Sequence, residues 1–294
     1  LNVAGGDVVP NLVLARVGAG GKVRIYNWAG PTHMIADIAG WIGTGGAHTD
    51  GAGFAGVTPA RLLDSRNGIG TPKRAFAANE TRSVEVAGVA GVPSNATSVV
   101  VNITVTEPQG SGFATAFPTG TKLPIASNLN YTAGTTRANL AVVKVGSGGK
   151  ISLNAAETSA HLIVDVMGSF GPYGGWVEAI DPVRLVDSRV GLRAPAGPML
   201  GNTTLQIPVR GQAGVPDDAT AVILNVTASD THGYGFFTVW PTGASEPLAS
   251  NVNFVGGQTV PNMVMVKLGS NGSINVKDSV NAANLIIDVF GYVR

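Results

Sequence analysis

The sequence predicts an all-β protein made of tandem antiparallel β-sandwich modules, immunoglobulin-like or jelly-roll-like, with two full repeats and one half repeat. Three observations carry this expectation: an internal repeat of constant spacing, apolar residues that alternate with period two, and turns rich in Gly, Pro and Asn between them. No segment spaces its apolar residues by three and four over a helical length.

The repeat is fixed by pairs 123 residues apart: Asp64 and Asp187, Asn102 and Asn225, Asn130 and Asn253, Asn139 and Asn262, Asp165 and Asp288. From Ala96 to Gly120, "ATSVVVNITVTEPQGSGFATAFPTG" matches "ATAVILNVTASDTHGYGFFTVWPTG" at 12 of 25 positions. A third, incomplete copy opens the chain, where "LNVAGGDVVPNLVLARVGAGGKV" aligns with "LNYTAGTTRANLAVVKVGSGGKI" at a spacing of 128. Asn2, Asn11, His33 and Asp37 then correspond to Asn130, Asn139, His161 and Asp165. The five extra residues of that spacing fall in the glycine-rich stretch "GTGGAHTDGAGFAG", as expected of a connector that tolerates length change.

Each repeat divides into an early half, from "RLLDSR" to about "FPTG", and a late half, from "SNLN" to "DVMGSF". The expected organisation is a late half at residues 1–43, a linker at 44–56, a first full sandwich at 57–171, a short linker at 172–179 and a second full sandwich at 180–294. Within a repeat, Val99, Val101, Ile103 and Val105 share one face of a strand and Val100, Asn102, Thr104 and Thr106 the other. "TRSVEVAG", "GFATAFPTG", "SNLNYTAG", "ANLAVVKVG", "GKISLNA" and "HLIVDVMG" supply further strands, giving seven to nine per full repeat. The aromatics Phe113, Phe117, Phe236, Phe237 and Trp240 are expected to face the core.

Composition excludes several functions. Nineteen basic and eighteen acidic residues leave a formal charge of +1, without a basic run, so neither nucleic acid nor an anionic membrane is an expected partner. The apolar runs "HLIVDVMGSF" and "NLIIDVFGYV" carry an Asp and are too short to span a bilayer, so no membrane insertion is expected. No basic region followed by an apolar block opens the chain, so no signal peptide is expected within it. There is no cysteine, hence no disulfide or thiolate metal site. The four histidines have no metal-ligand spacing, no dense acidic loop suggests calcium, and no metal or cofactor is expected. A nucleophilic serine would want a Gly-x-Ser-x-Gly frame, which "VGSGGK" lacks, and arginines beside Asp64 and Asp165 would hold both ionised, which is wrong for a general acid. No enzyme is expected.

Two recurrent polar sets remain. Asp165 and Asp288 sit in apolar strands, where an unpaired carboxylate is costly to bury. The Asp-x-Arg of the opening phrase, Asp64 with Arg66 and Asp187 with Arg189, offers fork-shaped donors, as do Arg61 and Arg184. These residues are read as a clasp between the last strand and the first segment of each repeat. The second set is Asn102, Asn128, Asn130 and Asn139 with Asn225, Asn251, Asn253 and Asn262, amides suited either to satisfying backbone groups or to binding sugar hydroxyls.

The combination "PARLLDSR", "GVAGVPSNATSVVVNITVT", "SNLNYTAGTTRANLAVVKVGSGGKISL" and "HLIVDVMGSF" resembles a repeat of exported and cell-surface proteins of high-GC Gram-positive and some other bacteria. That resemblance covers nearly the whole chain and implies secretion and a non-catalytic accessory role. The expected function is a structural or adhesive one at the cell surface, the alternative being a carbohydrate- or cell-wall-binding module with one weak site per repeat. Expected partners are a polysaccharide or cell wall, and self-association or neighbouring modules through residues 1–43, because an incomplete sandwich exposes strand edges.

Overall fold

In the computed structural model, which describes residues 1–43 and 52–294, two modules of eight antiparallel strands follow one another, and no α-helix occurs among the described residues. The first module comprises β1 (Gly53–Asp64), β2 (Glu80–Glu85), β3 (Ser98–Thr106), β4 (Gly112–Pro118), β5 (Leu129–Tyr131), β6 (Arg137–Lys144), β7 (Lys150–Ala156) and β8 (His161–Gly171). The second repeats it with β9 (Val177–Asp187), β10 (Thr204–Pro208), β11 (Ala221–Ser229), β12 (Gly235–Pro241), β13 (Val252–Phe254), β14 (Val260–Lys267), β15 (Ser273–Asp278) and β16 (Asn284–Val293).

Each module is two four-stranded sheets. Their orders are β1-β8-β3-β6 and β2-β7-β4-β5 in the first, and β9-β16-β11-β14 and β10-β15-β12-β13 in the second. This order is a jelly roll, in which one long hairpin of early strands against late strands is rolled into a sandwich. Every neighbouring pair joins an early-half strand (β1 to β4) to a late-half strand (β5 to β8), and the second module follows the same rule.

The alternation seen in the sequence sorts side chains as anticipated on one face. Val99, Val101, Ile103 and Val105 enter the first module's core with Leu63, Leu153 and Val164, and Val222, Leu224, Val226 and Ala228 enter the second's with Phe237 and Ile287. Burying each such aliphatic side chain stabilises by about 1.5–3 kcal/mol. The opposite face is buried as well. Val100, Leu140 and Met167 of the first module meet Ile223, Met263 and Met265 of the second in a third apolar cluster, joined by Leu12 and Leu14. The modules thus pack outer sheet face to outer sheet face.

Bulges aim residues into that contact. Between Val100 and Val101 the register with β8 slips so that Met167 is the extra residue, and between Ile223 and Leu224 the slip makes Phe290 extra. Gly168, beside the first bulge, is needed for close approach, since a Cβ there would lie 2.5 Å from the Phe54 ring.

Boundaries differ from the expected ones. β1 starts at Gly53 and β9 at Val177, because Gly53 to Gly56 pair with Gly171 to Gly168, and Val177 to Ala179 pair with Val293 to Gly291. Part of each expected linker is therefore strand, and residues 44–51 of the first lie outside the described residues. Residues 1–43 contain only an isolated bridge between Gly18 and Lys22 and run mostly exposed. Of the aromatics, Phe237 lies in the core. The other four do not face it: Phe113 and Phe117 in β4, and Phe236 and Trp240 in β12, share the face opposite the core residues Ala114, Ala116, Phe237 and Val239, with Phe117 and Trp240 buried there and Phe113 and Phe236 half-buried. Trp240 is closed off by its own turn, donating from Nε1 to the Ala244 carbonyl at 3.1 Å.

One buried charge has no counterpart in the first module. Asp278 is fully buried without a side-chain partner, where the first repeat carries Ala155. Burial pushes its carboxyl up to about 7, against the pull of the backbone N–H groups of Val280, Ala283 and Ser279. A carboxyl raised in the folded state costs stability as it ionises, so the second module should weaken between about pH 4 and pH 7 and stay level above. Asp278→Ala should remove this slope and raise stability at pH 8 by about 1–3 kcal/mol, read from denaturant midpoints across pH; an unchanged slope would refute the assignment.

Candidate functional site

The Asp and Arg residues of the repeated phrase converge at the β1-β8 ladder. Arg61 lies opposite Asp165 in that register, and its fork bonds both carboxylate oxygens, Nε to Oδ1 at 2.8 Å and Nη2 to Oδ2 at 3.1 Å. Its remaining nitrogen, Nη1, donates to Asp64 Oδ2 at 3.2 Å. Arg66 closes on Asp64 from the other side through its backbone N–H and two guanidinium nitrogens, at 3.0, 3.0 and 2.8 Å. Two arginines thus neutralise two carboxylates in one chain, which a planar fork does better than an ammonium.

The clasp expected from the sequence joins Asp64, Arg66 and Asp165, with Arg66 or Arg61 as the donor to Asp165. The structure brings these residues together, and the donor that reaches Asp165 is Arg61, with Arg66 spent on Asp64. Arg61 is a strand residue directly across the ladder, whereas Arg66 lies in the turn after β1. The second module repeats the pattern: Arg184 Nε and Nη2 bond Asp288, Arg184 Nη1 bonds Asp187 at 2.7 Å, and Arg189 holds Asp187 at 2.9 and 2.7 Å. In the half repeat, Asp37 is exposed.

Electrostatics follow from these contacts. Burial pushes the Asp165 carboxyl above its usual value despite Arg61. At Asp64 burial acts upward too, but the Arg66 hydrogen bonds and the Arg61 charge outweigh it and hold the group below the ordinary range. The Arg189 hydrogen bond lowers Asp187 to about 2. The two clasps differ in exposure: the Arg61 side chain is 10% accessible and Asp165 0%, against 40% and 22% for Arg184 and Asp288.

The serine of the phrase, not singled out in the sequence reading, is the second fastener. Ser65 Oγ accepts the Leu162 N–H at 3.1 Å and meets His161 Nδ1 at 2.8 Å. Ser188 Oγ accepts the Leu285 N–H at 3.0 Å and donates to Asn284 Oδ1 at 3.1 Å. An asparagine serves where the first repeat has a histidine, so the contact requires a hydrogen-bond acceptor rather than a base. Among the described residues no three His, Asp or Glu side chains group so as to hold a metal ion.

Of the two roles open to the recurrent asparagines, satisfying backbone groups or binding sugar hydroxyls, most of them take up interior positions suited to the first. Asn102, Asn139, Asn251, Asn253 and Asn262 are buried. Asn128 and Asn251 each accept a backbone N–H of the neighbouring strand, from Ala116 and Val239, at 2.7 Å. Asn262 spans the modules, donating to Asn102 Oδ1 at 2.9 Å and to the Asn251 carbonyl at 2.6 Å while accepting the Leu140 N–H at 3.1 Å. Asn102 donates to the Ser250 carbonyl at 2.6 Å. Asn130, within β5, is half-buried. Asn225 is half-buried and borders a polar cavity of about 450 Å³ with Leu1, Asn2, Arg184, Arg189, Asp230 and Asp288. Pairing across a fold is a tertiary fact, so spacing alone showed that these amides recur and not that they face one another.

No family model and no curated protein matches the chain. Among solved structures, the tandem CBM22-1-CBM22-2 domain from Paenibacillus barcinonensis Xyn10C aligns with 13% identity over 81% of this chain and 99% of its own, at a TM-score of 0.20. The coconut allergen cocosin aligns with 9% identity over 82% and 86%, at 0.18.

Arg61→Leu should cost the first module about 3–5 kcal/mol, because it strands Asp165 in a fully buried position. Arg184→Leu, acting at a more open site, should cost about 1 kcal/mol. Urea unfolding of each variant checks this, and equal losses would contradict the burial argument.

Proposed function

We propose that the protein is a non-catalytic tandem-repeat protein with a structural or adhesive role at the cell surface. The observation that carries this reading is the use made of the recurrent polar residues. The Asp and Arg set fastens each module shut, and the buried Asn set ties module to module. What recurs is holding chemistry. The Ser65 and His161 pair supports the same view, since its equivalent is Ser188 with Asn284, which offers no base. The likeness of the repeat to that of exported bacterial proteins supports a place outside the cell, and no helix among the described residues is long and apolar enough to cross a membrane.

A second reading, a carbohydrate-binding module, is favoured by one feature. The cavity beside Asn225 is lined by Thr227, Ser229, Asp230 and Arg189, donors and acceptors of the kind that engage sugar hydroxyls. Co-sedimentation with insoluble polysaccharides and cell-wall preparations separates the two. The structural reading expects no saturable, sugar-competed binding; binding that competes with soluble sugar and is lost in Asp230→Ala would replace it with the second.

A further inference from the structure

Residues 1–43 carry the residues of a core without having one. Aligned at the 128-residue spacing, Val23, Ile25, Met34, Ile35 and Ile38 correspond to Ile151, Leu153, Leu162, Ile163 and Val166. The latter are 0–5% exposed, whereas the former are 51–92% exposed. The cause is the pairing rule. In both modules a late-half strand bonds only early-half strands, so a late half by itself has no ladder it can form.

The segment is nevertheless seated in register. Asn11, Asn139 and Asn262 occupy equivalent positions and close a ring: Leu12 N–H donates to Asn139 Oδ1 at 3.4 Å, Leu140 N–H to Asn262 Oδ1 at 3.1 Å, and Met263 N–H to Asn11 Oδ1 at 3.3 Å. The residues that follow, Leu12 and Leu14 beside Leu140, Val142, Met263 and Met265, fill the third apolar cluster. Arg16 with Asp181 and Arg137 with Asp7 add ion pairs at 3.7 and 3.8 Å. Three late halves therefore surround one pseudo-threefold axis, each standing as a sandwich strand would stand.

Early halves obey the same rotation. Asn262 Nδ2 donates to Asn102 Oδ1 and Asn11 Nδ2 to Asn225 Oδ1, each late half meeting the early half of another repeat. Asn139 Nδ2 donates to the Asn128 carbonyl and to no early-half asparagine among the described residues. The third sector thus specifies its occupant: apolar alternating strands to cover residues 23–38, a mid-strand asparagine for Asn139, and an arginine for the exposed Asp37, the counterpart of Asp165.

We propose that residues 1–43 are a complementation site for an early half of this same repeat, which would complete a third jelly roll and a closed pseudo-threefold ring. It stands on strand pairing, and so goes beyond the structural reading without depending on it. The natural test extends the chain by placing a copy of residues 180–251 directly before Leu1, where the new junction reproduces Asn251–Val252. Hydrogen exchange of residues 12–16, 23–28 and 34–42 should slow at least about 100-fold, as expected for amides that gain core ladders. The emission of Trp28 and Trp41, both exposed without the extension, should shift to the blue. The unextended protein, co-refolded with a separate 180–251 polypeptide, should form a 1:1 complex with the same protection, weakened when Asn225 of the added piece is changed to Ala. Unchanged exchange at residues 12–42 in both arms would overturn the proposal. Protection that instead rises with concentration of the unextended protein alone would also overturn it, since two copies would then be covering each other.

Discussion

The constraint on which the whole molecule depends is that ladders between strands are made only between the two halves of a repeat. Rolling one long hairpin into a jelly roll places an early strand between late strands in each sheet, and the converse. The outermost ladder joins residues about a hundred positions apart, as Asp64 with Ile163 or Ala60 with Val166, so closing it costs chain entropy before any contact is gained. Fasteners at the hairpin ends offset that cost. The Asp-x-Arg phrase sits where the first strand leaves the ladder, and Arg61 and Ser65 both reach β8 from there.

The same residues act differently in the two modules because of what lies over them. Asn102 is covered by the second module, with Ser250 of the loop before β13 placed directly on it, and the Arg61 clasp beside it is nearly closed to solvent. Asn225 and the Arg184 clasp are covered only by the thin segment around Leu1, Asn2 and Asn11, which leaves a cavity and a more exposed ion pair. Shielding from water strengthens a well-made pair and raises the cost of breaking it. Two nearly identical sequences thus carry unequal energetic weight.

Apolar packing between modules extends this argument. A jelly roll needs only its inner faces for a core, yet Val100, Leu140, Ile223 and Met263 on outer faces are buried too. The asparagines embedded among them fix which copy meets which, since an amide left unpaired there would cost more than a mismatched aliphatic. Asn262 is the clearest case, with both ends of its side chain engaged across the contact.

Much of this was legible in the chain itself. Period-two alternation marked β3 and β11, the 123-residue spacing marked the modules, and an aspartate within an apolar run announced a partner arginine. These features are local, written in the order of residues along a strand. The sequence left three matters open: Arg61 rather than Arg66 as the partner of Asp165, burial of the outer faces, and the meeting of Asn11, Asn139 and Asn262 on one axis. Those were decided by tertiary structure, because each depends on the register across a ladder or the packing of one module on another, and neither leaves a period in the sequence.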